Sequence, residues 1–324
     1  MKALVTGGGG YLGGAIVRAL LARGDTVCSL QRGNYPWLDH TGARSYTGDI
    51  NDIDTLVRAS AGCDAIFHAA GKTGVWGDYP DYYRANVAGT ITVIHACLEN
   101  RIPRLIYTSS PSVIFSGADE AGVDESMPYP DHYYNHYQWT KMLAEQKVLA
   151  ANSAELATVA LRPHLIWGPG DPHLIGRILK RATSGRLRLV KGKNLVDTTY
   201  IDNAAAAQLL AADALHAGAP CAGKAYFISN GEPRVLNELI NDILAAYRLP
   251  PVTKTITPGQ AYTLGVLSEF VYTVGRIKRE PLMTRFVAKQ LSCAHWYDIS
   301  AAQRDFGYTP TVSIAEGLYR LNPP

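Results

Sequence analysis

Four consecutive glycines, Gly7 to Gly10, follow directly on a short apolar run, Ala3-Leu4-Val5-Thr6, and precede helical spacing over residues 12–23. Few folds tolerate this arrangement. Ordering a glycine costs more backbone entropy than ordering any other residue, so a cluster between strand and helix marks a turn where side chains must be absent. Such a backbone can lie against a pyrophosphate, with the unpaired N–H groups and positive dipole end of the next helix facing the phosphates. The spacing is satisfied in two ways. Gly8, Gly10 and Gly13 fit G-x-G-x-x-G, while Gly7, Gly10 and Gly13 fit G-x-x-G-x-x-G. A glycine-rich turn alone is common, and its place between a strand and a helix is what points to a dinucleotide.

The first half of the chain continues that alternation. Strands are predicted over 3–6, 26–30, 65–68, 104–108 and 157–162, with helices over 12–23, 79–100 and 134–151. Strands alternating with helices of this length imply a parallel sheet with right-handed crossovers, an α/β, Rossmann-like doubly wound fold. From about Pro163 the rhythm loosens. Pro169, Gly170, Pro172 and Gly176 punctuate the chain, and the helical stretches at 203–215, 236–247 and 283–291 are shorter. The division read from this is a dinucleotide-binding domain over 1–167 and a smaller mixed α/β substrate-binding domain over 168–324, with 196–216 returning to the large sheet.

Composition narrows the partners. With 324 residues, 47% hydrophobic and 18% charged, the chain has the make-up of a globular enzyme with a large core. A net charge of +3 and the absence of a Lys/Arg run argue against a nucleic-acid partner. The five cysteines, Cys28, Cys63, Cys97, Cys221 and Cys293, are odd in number and contain no Cys-x-x-Cys pair, which fits reduced thiols and no metal site. No secretory leader and no apolar run of about 18 residues is visible, so no transmembrane segment and a cytoplasmic location are expected. Residues 261–277 come nearest, with only Glu269 and Arg276 charged. They are expected to line a substrate cavity or pack on the core; contact with a membrane surface is the other reading.

The end of the second strand speaks to the cofactor. Dinucleotide sites selective for NAD place an acidic residue there to hold the ribose hydroxyls. Here the sequence is Cys28-Ser29-Leu30-Gln31-Arg32-Gly33, without a carboxylate. Arg32 can hold a 2′-phosphate through charge-assisted hydrogen bonds worth roughly 1.5–3 kcal/mol each, and NADP(H) is expected.

Catalysis is read from Tyr137-Gln138-Trp139-Thr140-Lys141, the one Tyr-x-x-x-Lys in a chain with 19 tyrosines. Inside a helix the two side chains stand one turn apart on one face. Reducing a carbonyl requires a proton at oxygen as hydride reaches carbon, and a free tyrosine, with pKa near ~10, gives up its proton reluctantly. A neighbouring ammonium tunes it toward that task. The strand ending Tyr107-Thr108-Ser109-Ser110 places a hydroxyl where the ends of parallel strands line the ligand crevice. Ser110 is the candidate, with Ser109 and Ser112 as rivals; Tyr133 and Tyr134 lack the lysine and are read as packing or rim residues.

Together the glycine run, His68-Ala69-Ala70, Asn86-Val87-Ala88-Gly89-Thr90, Tyr107-Thr108-Ser109-Ser110, Tyr137-x-x-x-Lys141, Arg162-Pro163, Trp167-Gly168-Pro169-Gly170 and Tyr200-Ile201-Asp202-Asn203-Ala204 resemble the extended short-chain dehydrogenases over essentially the whole chain. The resemblance implies Ser110, Tyr137 and Lys141 as catalytic residues. It implies Gly7, Gly10, Tyr11, Leu12, Gly13 and Arg32 around the cofactor, Asp49 and Ile50 at the adenine, Ala69 and Ala70 along the dinucleotide, and Pro163 and His164 near the nicotinamide. Tyr137 and Lys141 would also touch the cofactor. A homodimer built from the two long helices is implied as well.

Missing features separate the branches. Sugar dehydratases carry Asp-Glu after the catalytic hydroxyl, where this chain has Pro111-Ser112. Sugar-nucleotide epimerases usually place an arginine before the segment that here reads Asn194-Leu195-Val196-Asp197-Thr198-Thr199. Leu195-Val196-Asp197 instead resembles the sterol and 3β-hydroxysteroid dehydrogenase branch. Longer segments, above all Gly223-Lys224-Ala225-Tyr226-Phe227-Ile228-Ser229-Asn230-Gly231-Glu232-Pro233, are similar to the reductase branch of bacterial long-chain olefin biosynthesis. That likeness implies reduction of the 3-oxo group of a hydrophobic 2-alkyl-3-oxo acid and association with other enzymes of that pathway. His164, Lys191 and Arg285 are candidates to meet the acid's carboxylate. The readings set against it are a sterol-type dehydrogenase, a sugar-nucleotide epimerase, and a non-catalytic NADP(H) sensor, which would typically lack the Tyr/Lys pair.

Overall fold

A computed structural model describes residues 1–321 of the chain. Seven strands form its main sheet: β1 (Lys2–Thr6), β2 (Thr26–Gln31), β3 (Arg44–Thr47), β4 (Ala65–His68), β5 (Arg104–Thr108), β6 (Ala157–Pro163) and β7 (Lys224–Ile228). All pairings are parallel and the order is β7-β6-β5-β4-β1-β2-β3. The chain thus starts mid-sheet, winds one way to β3, then crosses over and winds the other way from β4. The reversal between β1 and β4 opens the crevice in which doubly wound sheets bind ligands.

The sheet has a core on each side, which is why β4 and β6 are buried along their whole length and are mostly apolar. Ala3 and Val5 of β1 face Ile16, Val17 and Leu20 of the helix Tyr11–Ala22, together with Ala205 of the helix Ile201–Ala214. Leu4 points the other way, to the layer of Leu56, Ile94 and Val148. These belong to the helices Ile53–Ser60, Gly89–Glu99 and His136–Ala150. The segment expected to return to the sheet contributes the helix Ile201–Ala214, and β7 lies still later in the chain.

Past β6 the chain also builds smaller sheets. The largest runs Arg234–Val235, Leu195–Val196, His295–Tyr297, Glu120–Val123, and so borrows a strand from the first half. All five cysteines are free and buried.

Two expectations about helices need correction. The helix expected over 79–100 is three pieces: Tyr79–Tyr82, a π-helical turn Tyr83–Ala88, and Gly89–Glu99. π-turns insert one extra residue per turn and tend to occur where a side chain must be aimed. Here the aimed residue is Asn86, whose Oδ1 accepts from Lys72 N (2.7 Å) while Nδ2 donates to Thr140 Oγ1 (3.0 Å) on the His136–Ala150 helix. The second concerns the apolar stretch at 261–277. It forms the helix Pro258–Val274, which lines a cavity through Glu269, Tyr272 and Thr273 as one of the expectations had it, but only Ala261 and Gly265 are buried, so most of its apolar surface does not pack on the core. Among the described residues no helix is long and apolar enough to cross a membrane.

Candidate active site

The glycine loop resolves the two possible spacings. Gly7 has φ +74°, and a Cβ there would meet the Ala70 backbone at 2.9 Å. A Cβ on Gly13 would lie 2.1 Å from Gly7 O, so the helix can seat on the loop only through a bare glycine. Gly10 N donates to Gly7 O (2.8 Å), closing the turn. The working pattern is therefore Gly7, Gly10 and Gly13; Gly8 and Gly9 are kept small by the side chains of Ser29 and Tyr35.

A cavity of about 480 Å³ extends from this loop across the ends of β1, β2 and β4. Gly7, Gly10, Arg32, Asp49, Ile50, Ala69 and Ala70 all line it. Tyr11, Leu12 and Gly13 instead form the first turn of the helix behind the loop. The Tyr11 hydroxyl is buried, and both burial and nearby Asp171 push its pKa up, so what Tyr11 can offer a phosphate is its backbone N–H. Gln31 is turned into the sheet, donating to Ser45 Oγ (2.7 Å) and accepting from Ser29 Oγ (2.6 Å), which leaves exposed Arg32 at the strand's end. Asp49 accepts from Asn51 and from Arg84 Nη2 (3.1 Å), which hold its carboxyl below the usual range. The sequence reading missed Arg84, Lys72 and Tyr35, which line the same cavity. No motif marks them, because the loops that carry Tyr35 and Lys72 and the π-turn that carries Arg84 come together only in the fold. A narrow bare-backbone loop at a helix start, with cations at the far end, fits a phosphorylated dinucleotide.

The candidate proton-transfer residues sit at the end of β5. Asn135 caps the His136–Ala150 helix, its side chain accepting from Gln138 N. Gln138 Nε2 then donates to Ser112 O (3.0 Å) and Phe115 O (3.1 Å), clamping the helix start to the turn that follows Ser110. Ser110 and Tyr137 are brought together: burial pushes the Tyr137 phenol up, and hydrogen bonding to Ser110 opposes it. The rival hydroxyls are placed differently. Ser109 is buried behind the crevice, on the side of Glu145, and the Ser112 hydroxyl donates to Ser110 Oγ (2.9 Å). Tyr133 donates to Val113 O (3.0 Å), a packing role, while the Tyr134 ring packs on Gly117 and also lines the rim of the second cavity described below.

Lys141 is buried one turn along from Tyr137. Its Nζ donates to Thr108 O (2.6 Å) and stands 4.2 Å from the Tyr107 ring centroid. Burial pushes its pKa down to about 7, against the pull of Glu145 one turn further on. Glu145 in turn accepts from Arg162 Nε (3.0 Å) and Nη2 (2.6 Å) on β6, and from Tyr129 Oη (2.7 Å). Its (i, i+4) spacing from Lys141 was the available signal for this pair.

Pro163 and His164 are buried at the end of β6. The His164 ring is fully engaged, Nδ1 with Asp197 Oδ1 (2.6 Å) and Nε2 with His295 Nδ1 (3.1 Å), so as a carboxylate ligand it is ruled out by its own partners. Lys191 lies beside the strand pair Leu189–Val190 and Thr255–Ile256, its N–H donating to Ile256 O. Arg285 lines a second cavity of about 950 Å³, where it pairs with Glu269 (2.6 Å). That cavity reaches Asn135 and His136 beside Tyr137, and Lys72 and Asp81, themselves paired at 3.0 Å, border both cavities.

Comparison with known proteins agrees with this geometry. Residues 4–255 match the 3-beta hydroxysteroid dehydrogenase/isomerase family. A 2-alkyl-3-oxoalkanoate reductase of Stenotrophomonas maltophilia is 53% identical, with 99% of this chain and 98% of that protein covered. The protein of the same name from Shewanella oneidensis is 49% identical, covering 98% and 85%. Among solved structures, MoeE5 in complex with UDP-glucuronic acid and NAD superposes with a TM-score of 0.75 at 26% identity, over 99% of this chain and 97% of that one. The chain belongs to the 3-beta hydroxysteroid dehydrogenase/isomerase family of extended short-chain dehydrogenases, and is an oxidoreductase acting on keto or hydroxyl groups.

Proposed function

We propose that the protein uses NADPH to reduce the 3-oxo group of a long-chain 2-alkyl-3-oxoalkanoic acid, giving the 2-alkyl-3-hydroxyalkanoic acid on a route to olefins or β-lactones. The observation that carries this reading is the 53% identity, over nearly the full length of both chains, with a protein named 2-alkyl-3-oxoalkanoate reductase.

The reaction converts C=O to CH–OH with one hydride at C3 and one proton at oxygen. Reduced nicotinamide supplies the hydride when bound. Tyr137 gives the proton from its phenol, Ser110 orients the 3-oxo oxygen by hydrogen bonding, and Lys141 holds the ribose and biases Tyr137 toward proton release. The depressed pKa of Lys141 lets small changes around it alter that bias near neutrality. Arg32, at the strand end that Gln31 vacates, favours a 2′-phosphate. On the substrate-side cavity Lys72, Lys278 and Arg285 face Asp81, Asp78 and Glu269, which leaves Arg276 as the lining cation with no ion pair among the described residues and the one that favours an acid there. Residues from 168 onward, among them Glu269, Arg276 and Arg285, share that side with 72–82 and 134–136, and the bulk of 1–167 holds the cofactor.

A homodimer through the 79–100 and His136–Ala150 helices is supported by Tyr83, Leu98 and Trp139, large apolar side chains exposed on them. Reduced cysteines suit the cytoplasm, where neighbouring enzymes of such a pathway would associate with it.

The test follows loss of reduced-nicotinamide absorbance with a long-chain 2-alkyl-3-oxo acid, beside NADH and beside a steroid ketone. Turnover of the keto acid with preference for NADPH is expected. Turnover of the steroid alone would keep the mechanism and replace the substrate with the one the family description favours.

A further inference from the structure

The helix Pro258–Val274 is built inside out for a soluble protein. It begins firmly, with Thr257 and Gln260 capping each other's backbone. It then sits on the protein through its narrowest residues: a Cβ on Gly265 would lie 2.6 Å from the Thr284 carbonyl carbon, so helix and chain meet backbone to backbone. Leu264, Val266, Leu267, Phe270, Val271 and Val274 all point outward, with Phe270 67% and Val274 68% exposed. At about 100° per residue these six fall within an arc of roughly 160°, a continuous outer face. Ile277 and Leu282 prolong it, so eight of the fourteen large hydrophobic residues exposed among the described residues lie within 264–282. Apolar surface this concentrated marks a contact face.

Charge identifies the partner. Arg276, Lys278 and Arg279 follow the helix directly and are exposed. Beside them runs the helix Leu174–Thr183 with its following turn, where residues 174–188 hold Arg177, Lys180, Arg181, Arg186 and Arg188 and no acidic residue. Arg181 Nη2 donates to Leu282 O (2.8 Å) and Arg177 pairs with Glu280 (3.0 Å), which fixes this basic element against the apolar patch. A second copy docking by the same face would bring two such cationic rims together. Lipid phosphates would neutralise them.

We infer that this face is a docking surface for an anionic lipid bilayer, with the Pro258–Val274 helix lying in the plane of the interface. At 17 residues the helix is about 26 Å long, short of a ~30 Å hydrocarbon core. An apolar stripe edged by Lys and Arg is the pattern of interfacial helices. The opposite side of the helix contributes Glu269, Tyr272 and Thr273 to the large cavity, so docking sets that cavity directly behind the membrane-facing helix. The inference does not depend on which ketone is reduced.

The experiment is flotation of the full-length protein with vesicles of phosphatidylcholine, with and without phosphatidylglycerol. Wild-type protein is expected to float with the anionic vesicles roughly tenfold more than with the neutral ones. F270D/V274D is expected to lose that excess while keeping its thermal midpoint and cofactor affinity, and K180Q/R279Q to reduce it. Protein that floats with neither vesicle, or with both equally and regardless of these substitutions, overturns the inference. So does a wild-type assembly that F270D/V274D dissociates in sedimentation velocity while vesicles capture nothing; the face would then be a self-contact.

Discussion

Lys141 is an ammonium placed where solvation is poor, and its nearest carboxylate, Glu145, is already engaged by Arg162. The sign of the consequence follows from its pKa, depressed from 10.5 to about 7. Between those values the unfolded chain binds a proton that the folded chain does not, so stability rises with pH across this window, and below about 7 the full burial penalty applies. Lys141→Met should therefore abolish turnover yet raise stability at neutral pH by about 1–3 kcal/mol, and flatten the rise from pH 7 to 10. Urea unfolding across that range without added cofactor is the check. Tyr137→Phe keeps the ring and removes the proton, so kcat should fall about 10²–10⁴-fold with cofactor affinity little changed, as steady-state kinetics would show. Arg32→Glu puts a like charge against a 2′-phosphate. The ratio of kcat/KM for NADPH over NADH should drop by roughly 10²-fold.

The glycine loop, the π-turn and the capped helix act as elements, each fixing a group that no single residue could. The seat of the Tyr11–Ala22 helix is the contact between Gly13 and Gly7 O. Gly13→Ala should cost about 1–3 kcal/mol of stability and weaken cofactor binding roughly tenfold, read by thermal unfolding and by titration. The π-turn at Tyr83–Ala88 could not be seen in the sequence, where Asn86-Val87-Ala88-Gly89-Thr90 has ordinary helical spacing. It aims Asn86 at the Lys72 backbone and at the Thr140 hydroxyl on another helix, partners that a local pattern does not contain. The Pro258–Val274 helix makes the converse point. Its apolar content is plain in the sequence, but its orientation is not, since the seat on Thr284 through Gly265 decides which way Phe270 and Val274 point.

Across the whole molecule, the Arg162–Glu145 pair ties β6 to the helix that carries Tyr137 and Lys141, both partners being almost wholly buried. Glu145→Gln strands a buried guanidinium and should cost about 3–5 kcal/mol in chemical denaturation, with Glu145→Gln/Arg162→Met recovering part of it. Much of the fold was legible because its signals are local. Short, mostly apolar runs gave β4 and β6, glycine gave the loop, and Tyr-x-x-x-Lys on a helix gave the candidate catalytic face, each resting on backbone geometry within a few residues. The different surroundings of Ser109, Ser110 and Ser112 needed the tertiary structure, because burial of Ser109 and the bond from the Ser112 hydroxyl to Ser110 Oγ depend on how the chain packs after β5. So did the fate of His164, whose ring is occupied by Asp197 and by His295, residues 33 and 131 positions away. The sequence by itself determined the parallel sheet, the dinucleotide loop and the Tyr137/Lys141 pair, whose causes lie in short-range periodicity and backbone conformation. Only the tertiary structure decided which cations face each cavity and which apolar helix faces outward, because contacts between distant segments set the burial and charge around them.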